Sequence, residues 1–377
     1  MPSYHLQGDK NKKYWVGFSL VKGIGPTRFR RLVEHFGSAE AAWKAQPSEL
    51  ARAGLDRRSI ENLLTTRQRV SLDEEMEKLR KIGVRLVTWE DEEYPYNLRH
   101  IENPPFLLYV KGEFKPQDEW AVAVVGTRRA SVYGKEATRF LVDQLARSGV
   151  TIVSGLARGI DSVAHRAALE AGGRTIAVLG SGLDIIYPPE HTKLAQAIAK
   201  NGALITEYPL GTPPEGVNFP PRNRIISGLS KGVLVVEAGE TSGALITADF
   251  ALEQGRDVLA VPGSIFYKTC RGTNKLIQQG AKLVLSAEDI LEELNFSMIE
   301  EREEIKAIVP ATEKEALLLK HISSEPVHID ELKKATGLPI AEVSSTLALM
   351  ELKGLVRQVG GMHYVIAREG KVEYIVD

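Results

Sequence analysis

The sequence predicts an α/β protein built on a doubly wound parallel sheet, with a helical segment before it and a winged helix after it. Three observations carry that prediction. Short continuous apolar runs recur in the middle of the chain, among them "WAVAVVG", "VTIVSG", "RTIAVLG", "GVLVVEAG" and "DVLAVPG". Amphipathic stretches of helical length separate them, such as "YGKEATRFLVDQLARSG" and "GALITADFALEQG". Each run ends in a glycine-bearing loop. Strands apolar on both faces belong to a sheet covered on both sides, and right-handed crossovers between parallel strands make it doubly wound.

The elements follow in order. Residues 1–82 read as a domain of short helices, broken at Gly23-Ile24-Gly25-Pro26. Helix, Gly-x-Gly turn and second helix resemble a helix-hairpin-helix unit. Its glycines and the helix N-terminus suit a phosphate, with Arg28, Arg30 and Arg31 following; the favoured reading is a packing module whose glycines only make the turn. Residues 83–294 form the sheet domain with two lead-in strands, "VRLVTW" and "PFLLYV". Between them, Tyr94, Pro95, Asn97 and Leu98 read as a connector wrapped on the next domain. Residues 295–311 are charged and weakly periodic, a linker. In residues 312–377, three short helices precede a hairpin turning at Gly360-Gly361, the pattern of a winged helix.

Bulk numbers bound the function. A formal net charge of −1 over 377 residues leaves no global basic field, so any anion site is local. The single cysteine, Cys270, rules out an internal disulfide and a Cys-rich zinc site. No stretch approaches about twenty apolar residues, and the polar N-terminus lacks a secretory pattern. A soluble, cytoplasmic protein with no membrane partner is the expectation.

Ligands of doubly wound sheets bind at the carboxyl ends of the strands. The unusual clusters here fall at those ends: Arg128 after the first core strand, Ser154, Gly155, Arg158 and Gly159 after the second, and Arg222, Asn223 and Arg224 ahead of "GVLVVEAG". Glycines let amides approach phosphate oxygens, and guanidinium forks match them. Four arginines are therefore expected to converge on one rim, in a phosphate-rich site. Asp161 and Glu237 are expected to orient them. Pro220 and Pro221 mark a stiff loop, and Phe219 beside them is either a platform for a base or a loop anchor.

The motifs exclude several chemistries. No G-x-G-x-x-G follows a strand and no G-x-x-x-x-G-K-[ST] occurs. Ser154 lacks an evident base, His165 reads as a helix-face histidine, and no cofactor, metal or catalytic set is predicted. A single-stranded polyanion suits a cationic track with a ring beside it. Two rivals remain: a nucleotide hydrolase of the nucleoside monophosphate phosphoribohydrolase type, which would use Glu237 but lacks its Pro-Gly-Gly-x-Gly-Thr turn, and a small-nucleotide sensor. The winged helix is a poor DNA reader. Its residues 312–366 carry six Lys/Arg against seven Asp/Glu, the wrong sign for neutralising phosphates, and it is expected to contact protein.

Four stretches, "SGLARGIDSVAHRAAL", "GSGLDIIYPPEH", "FPPRNRIISGLSKGVLVVEA" and "SGALITADFALEQGRDVLAVPG", resemble the bacterial DprA/Smf family of DNA-processing proteins, strongly over residues 120–285. The flanking helical (SAM-like) and winged-helix segments resemble the family's as well. The resemblance implies an extended Rossmann-like core that binds single-stranded DNA without catalysis. It also implies protection of incoming strands in natural transformation, loading of the RecA recombinase past single-strand binding protein, and a homodimer. Carried to matching positions, Arg128, Ser154, Gly155, Arg158, Gly159 and Arg222 to Arg224 line the pocket, with Phe219 at the family's Phe-Pro position. Relatives often have a basic residue just before Phe-Pro. Here Glu215-Gly216-Val217-Asn218 stand there, so weaker affinity is expected unless Lys231 or another lysine compensates.

Overall fold

A computed structural model describes residues 5–296, 312–322, 326–352, 355–359 and 361–366. Contacts divide the chain into two compact units, Met1–Ile299 and Glu300–Asp377. The first begins with six helices: α1 (His5–Ser19), α2 (Pro26–Phe36), α3 (Ala39–Lys44), α4 (Pro47–Arg52), α5 (Arg57–Arg69) and α6 (Leu72–Lys81). Two lead-in strands, β1 (Arg85–Thr88) and β2 (Leu107–Gly112), flank the short α7 (Tyr96–Arg99). Then come β3 (Ala121–Gly126), α8 (Val132–Arg147), β4 (Thr151–Ser154), α9 (Ile160–Glu170), β5 (Thr175–Val178), α10 (Thr192–Asn201) and β6 (Ala203–Thr206). The second half adds α11 (Phe219–Gly228), β7 (Gly232–Glu237), α12 (Gly243–Glu253), β8 (Asp257–Ala260), α13 (Arg271–Gln278), β9 (Lys282–Leu283) and α14 (Ala287–Glu293).

All nine strands join one sheet, in the order β1-β2-β6-β5-β4-β3-β7-β8-β9. From β6 to β9 every pairing is parallel, while β2 runs antiparallel to β6 and β1 to β2. The order reverses direction between β3 and β7, the topological switch of this sheet. Side chains alternate across it. Ala121, Ala123 and Val125 join one buried cluster with α11 and α12, while Val122 and Val124 join another with α8, α9 and α14. Both faces are dry, which is why these strands read as unbroken apolar runs.

The N-terminal helices pack on the sheet through one continuous core. Phe29 stacks on Phe106 with ring centroids 4.2 Å apart, and Trp15 lies 4.8 Å from Phe29. The hydroxyls of Ser19 and Tyr109 are hydrogen-bonded at 2.7 Å. The hairpin glycine Gly23 has φ of +95°, a backbone that L side chains rarely adopt. Arg28 serves the hairpin itself: it donates to the Gly23 carbonyl at 2.8 Å and meets Asp56 at 2.7 Å. Arg30 lies over the Trp89 ring at 5.0 Å. Two of the arginines that follow the hairpin therefore lean on the protein. The connector is anchored as its composition suggests, with the Asn97 amide donating to the Glu119 and Leu229 carbonyls.

The second unit holds α15 (Glu313–Leu319), β10 (Val327–His328), α16 (Ile329–Thr336), α17 (Ile340–Leu352), β11 (Val356–Gln358) and β12 (His363–Ile366). Its three strands pair antiparallel in the order β10-β12-β11. Leu318, Leu332, Val343, Leu347 and Met350 are buried between helices and wing, a winged-helix core. The linker expected at 295–311 lies outside the described residues from 297 onward. Asn295 and Phe296 still belong to the sheet unit, where Phe296 packs edge-on to Trp120 at 5.5 Å. Among the described residues, no helix is long and apolar enough to cross a membrane.

Candidate functional site

The parallel register aligns the carboxyl ends of β3, β4, β5, β6, β7 and β8 along one rim, and the segments that follow β3 to β7 build the candidate site. Phe219 is its centre. The proline-rich segment is not a loop, as the prolines suggested: Phe219 opens α11, with Pro220 and Pro221 in its first turn. Proline is at home there, because the first helical amides have no partner inside the helix. The half-buried Phe219 ring rests on Gly180, where an added Cβ would come within 2.8 Å of the ring. Arg128 lies 5.4 Å from the ring centroid, Arg222 5.8 Å, and the Tyr187 ring 6.0 Å.

The four arginines reach this rim in different states. Arg128 is exposed, and among the described residues its guanidinium has no hydrogen-bonded or ion-pair partner. Arg158 is also exposed but pairs with Glu190 at 2.6 Å. Arg224 does not face outward. It forms a two-pronged, largely buried pair with Glu207, at 2.7 and 2.8 Å. Arg222 is buried, donating to the carbonyls of Gly155, at 2.9 Å, and Val178, and through Nε to Asn223 at 3.2 Å. It thus ties the ends of β4 and β5 together. Burial pushes its pKa down to about 10, against the pull of nearby Asp161. The expectation that Arg222 and Arg224 jointly face a ligand is corrected: both are held by the fold.

The glycines have structural causes too. A Cβ on Gly155 would lie 2.6 Å from the Arg222 guanidinium, so the glycine makes room for that clamp. Gly159 has φ of +78°, and a Cβ there would meet the Thr127 carbonyl oxygen at 2.2 Å. Ser154 is buried and donates to the Val124 carbonyl at 2.6 Å, so it is not at the surface. Asn223 is partly exposed beside Arg222. Lys231 is not on this rim. It precedes β7, at the amino end of the sheet, where it lies 3.6 Å from Glu119 and over the Trp120 ring at 5.4 Å.

Helix N-termini at such a rim often receive phosphate. Here the protein fills them itself. Glu237, fully buried at the end of β7, accepts from the Ser131 amide at 2.9 Å, just where α8 begins. Gly134 has no room for a side chain, since a Cβ would lie 2.2 Å from that carboxylate. A negative charge is stabilised at a helix start, and this one occupies the switch-point position a nucleotide phosphate would take. The other carboxylate oxygen has no partner among the described residues. Asp161 accepts from the Gly155 and Ala157 amides, and burial raises its pKa. The Ile160 amide at the start of α9 donates to the Thr127 carbonyl. Pro220 and Pro221 bring no N–H to α11. Cationic side chains are left as the rim's main means of meeting an anion.

His165, on α9, is buried against the sheet, and its Nδ1 lies 2.7 Å from the hydroxyl of Thr175 at the start of β5. Thr175 gives its proton to the Ile152 carbonyl, so Nδ1 is the donor of that pair. Burial, with the nearby His191 and Arg222, lowers the His165 pKa to about 3. This is a neutral interior histidine. Sequence reasoning missed Tyr187, Glu190 and Glu207. Tyr187 stands openly in "IIYPPEH" after β5, whereas the two glutamates carry no local signal that names their arginines.

A helical hairpin segment, a doubly wound core with a cation-and-ring rim, and a winged helix make this a modular α/β protein. The family model for DNA recombination-mediator protein A matches residues 85–295, the winged-helix model of the same family 303–362, and its N-terminal helix-hairpin-helix model 21–66. The chain belongs to this DprA/Smf family. Protein Smf of Synechocystis is 37% identical over 94% of this chain and 99% of its own length. The crystal structure of DNA processing protein A from Streptococcus pneumoniae is 35% identical, covering 74% of this chain and 97% of that one, with a TM-score of 0.66. A structure of the Helicobacter pylori protein, described for that protein's single-stranded DNA binding mode, is 32% identical over 56% of this chain and 96% of that one, with a TM-score of 0.51.

Proposed function

We propose that this chain binds single-stranded DNA along the carboxyl rim of its sheet. One observation carries the reading: an exposed guanidinium, Arg128, with no partner among the described residues, beside the half-buried Phe219 ring at 5.4 Å, with a second ring, Tyr187, next to it. A cation takes the phosphate and a ring face takes the base, which suits strands whose bases are unpaired. A duplex hides those faces and asks for an element in its groove. Arg158 is the second cation, released from Glu190 when a phosphate arrives. Family membership and the Helicobacter pylori relative support the choice of polymer.

On this reading the chain is a recombination mediator in the cytoplasm. It shields incoming strands and hands them to the RecA recombinase in competition with single-strand binding protein, acting as a homodimer that doubles the track. The site is assigned no catalysis, so nucleoside monophosphates incubated with it release no base.

Titrating the full chain with labelled oligothymidine and with duplex of equal length, across a salt series, tests the reading. Single strands are expected to bind more tightly. Log affinity should fall with log salt by about 0.7 per neutralised phosphate. Equal affinity for both polymers, or no salt dependence, sinks it.

A further inference from the structure

The rim continues past the switch point into a loop that the site above does not use. This loop, residues 262–270, leaves the carboxyl end of β8 and enters α13. Its stem is fixed: the Gly263 amide donates to the Asn274 side chain at 3.1 Å, and that side chain donates back to the Gly263 carbonyl at 2.9 Å. A Cβ on Gly263 would lie 2.3 Å from the Cys270 sulfur. Its tip does the opposite of packing. Phe266 is 85% exposed and Tyr267 65%, next to each other. Rings held out on a pinned loop contribute nothing to the core, and large exposed apolar groups in a cluster mark a contact surface.

Charge decides the partner. Residues 262–275 hold Lys268, Arg271 and Lys275 and no carboxylate. Among the described residues, none of these three cations has a hydrogen-bonded or ion-pair partner through its side chain, and neither has Arg129, at the end of β3. The two loops are joined, because the Tyr133 hydroxyl at the start of α8 donates to the Pro262 carbonyl at 2.7 Å. Strands β3 and β8 are two spacings apart, about 10 Å. A second copy of the chain on a twofold axis would set this cationic patch against itself, which like charges oppose. A polymer carrying both anions and flat faces meets rings and cations at once. Glu240, exposed on the loop after β7 between them, is a carboxylate that such a polymer must skirt.

We propose that Phe266 and Tyr267, with Lys268 and Arg271, form a second stacking subsite for single-stranded nucleic acid, continuing the strand held at Arg128 and Phe219. This rests on the single-strand reading above. The proposal assigns the β8 loop to bases beyond the first contact, so it acts only on strands long enough to cross the switch point.

The test compares the full chain with two variants, Phe266→Ser/Tyr267→Ser and Lys268→Gln/Arg271→Gln. Oligothymidine is used at the shortest length the parent binds and at a length several times greater. All four side chains are exposed, so melting temperatures should match the parent's. Both variants are expected to lose about tenfold in affinity for the long strand and nothing for the short one. Bromodeoxyuridine placed along the long strand should cross-link to the peptide carrying Phe266 and Tyr267 in the parent. If the parent binds both strands and the variants keep its long-strand affinity, the second subsite is overturned while the first stands. If the variants instead change sedimentation of the free protein, the patch is a self-association surface and the proposal is overturned as well. A parent that binds neither strand removes the single-strand reading itself.

Discussion

Two arginines beside the Phe219 ring carry the same chemical group in opposite states. Arg222, which is buried, and Arg128, which is exposed, lie at nearly equal distances from the ring centroid, 5.8 and 5.4 Å. The buried guanidinium donates to the carbonyls of Gly155 and Val178. The other, Arg128, is exposed, and among the described residues its donors have no partner. Once desolvated, a cation is held by whatever compensates it and is no longer available to a ligand; in water it is available but adds little to the fold. Burial separates an arginine that serves the fold from the one proposed to meet a ligand, and substitution should separate them too.

The largest effect is expected inside. Arg222→Ala leaves the Gly155 and Val178 carbonyls unpaired and Asp161 without its nearby cation. Breaking a buried charged contact on one side costs about 3–5 kcal/mol, which urea unfolding would register. A second change, Asp161→Asn, should recover part of that loss, because it removes the charge left uncompensated. A variant as stable as the parent would show that the clamp is not what holds β4 and β5 together here.

Acid probes the same interior. His165 has its pKa lowered from 6.5 to about 3 in the fold, so between those values the unfolded chain takes a proton that the folded chain refuses. Stability therefore rises with pH across this window, is fully present above 6.5, and is lost as the pH falls toward 3. The expected loss is of the order of a few kcal/mol. His165→Gln, which cannot titrate, should flatten this acid limb in urea midpoints measured against pH. The Arg222 cation contributes to the shift. An acid limb identical in both proteins would place the responsible group elsewhere.

At the surface, Arg128→Ala should leave stability within about 0.5 kcal/mol of the parent. Single-strand affinity should fall, and its salt slope should shrink by about 0.7, one phosphate contact. A large loss of stability, or an unchanged slope, would erase the distinction between the two arginines.

This contrast also explains what could be read in the sequence. The strands were legible because burial on both faces writes itself as local apolar runs. The rim was legible as a place, since loops after parallel strands share one edge. The state of each side chain was not. Gly155 looks like a phosphate glycine, yet what it accommodates is Arg222, 67 positions away. Arg224 looks free until Glu207, 17 positions earlier, is brought beside it by the end of β6. Lys231 lies only a few positions from this cluster in sequence, but α11 carries the chain to the other end of the sheet. Pairing is a property of the folded chain, and spacing alone does not encode it.

The subtlest test concerns Arg158, which stands between the two extremes. It is exposed but paired with Glu190 at 2.6 Å, and each side chain is about half accessible. Solvent screens such exposed pairs so that they add little to stability, and folding does not depend on this one. For ligand binding the same pair is an internal competitor, because a phosphate reaching Arg158 must first displace the carboxylate. Glu190→Gln removes both that competition and a negative charge from the rim. Affinity for oligothymidine should rise by up to about fivefold, with a steeper salt slope and an unchanged melting temperature. In the Arg158→Ala background the same change should give only the smaller, long-range gain from losing one negative charge. An equal gain in both backgrounds would mean that Glu190 acts through the general field of the rim, and Arg158 would then not be a phosphate contact.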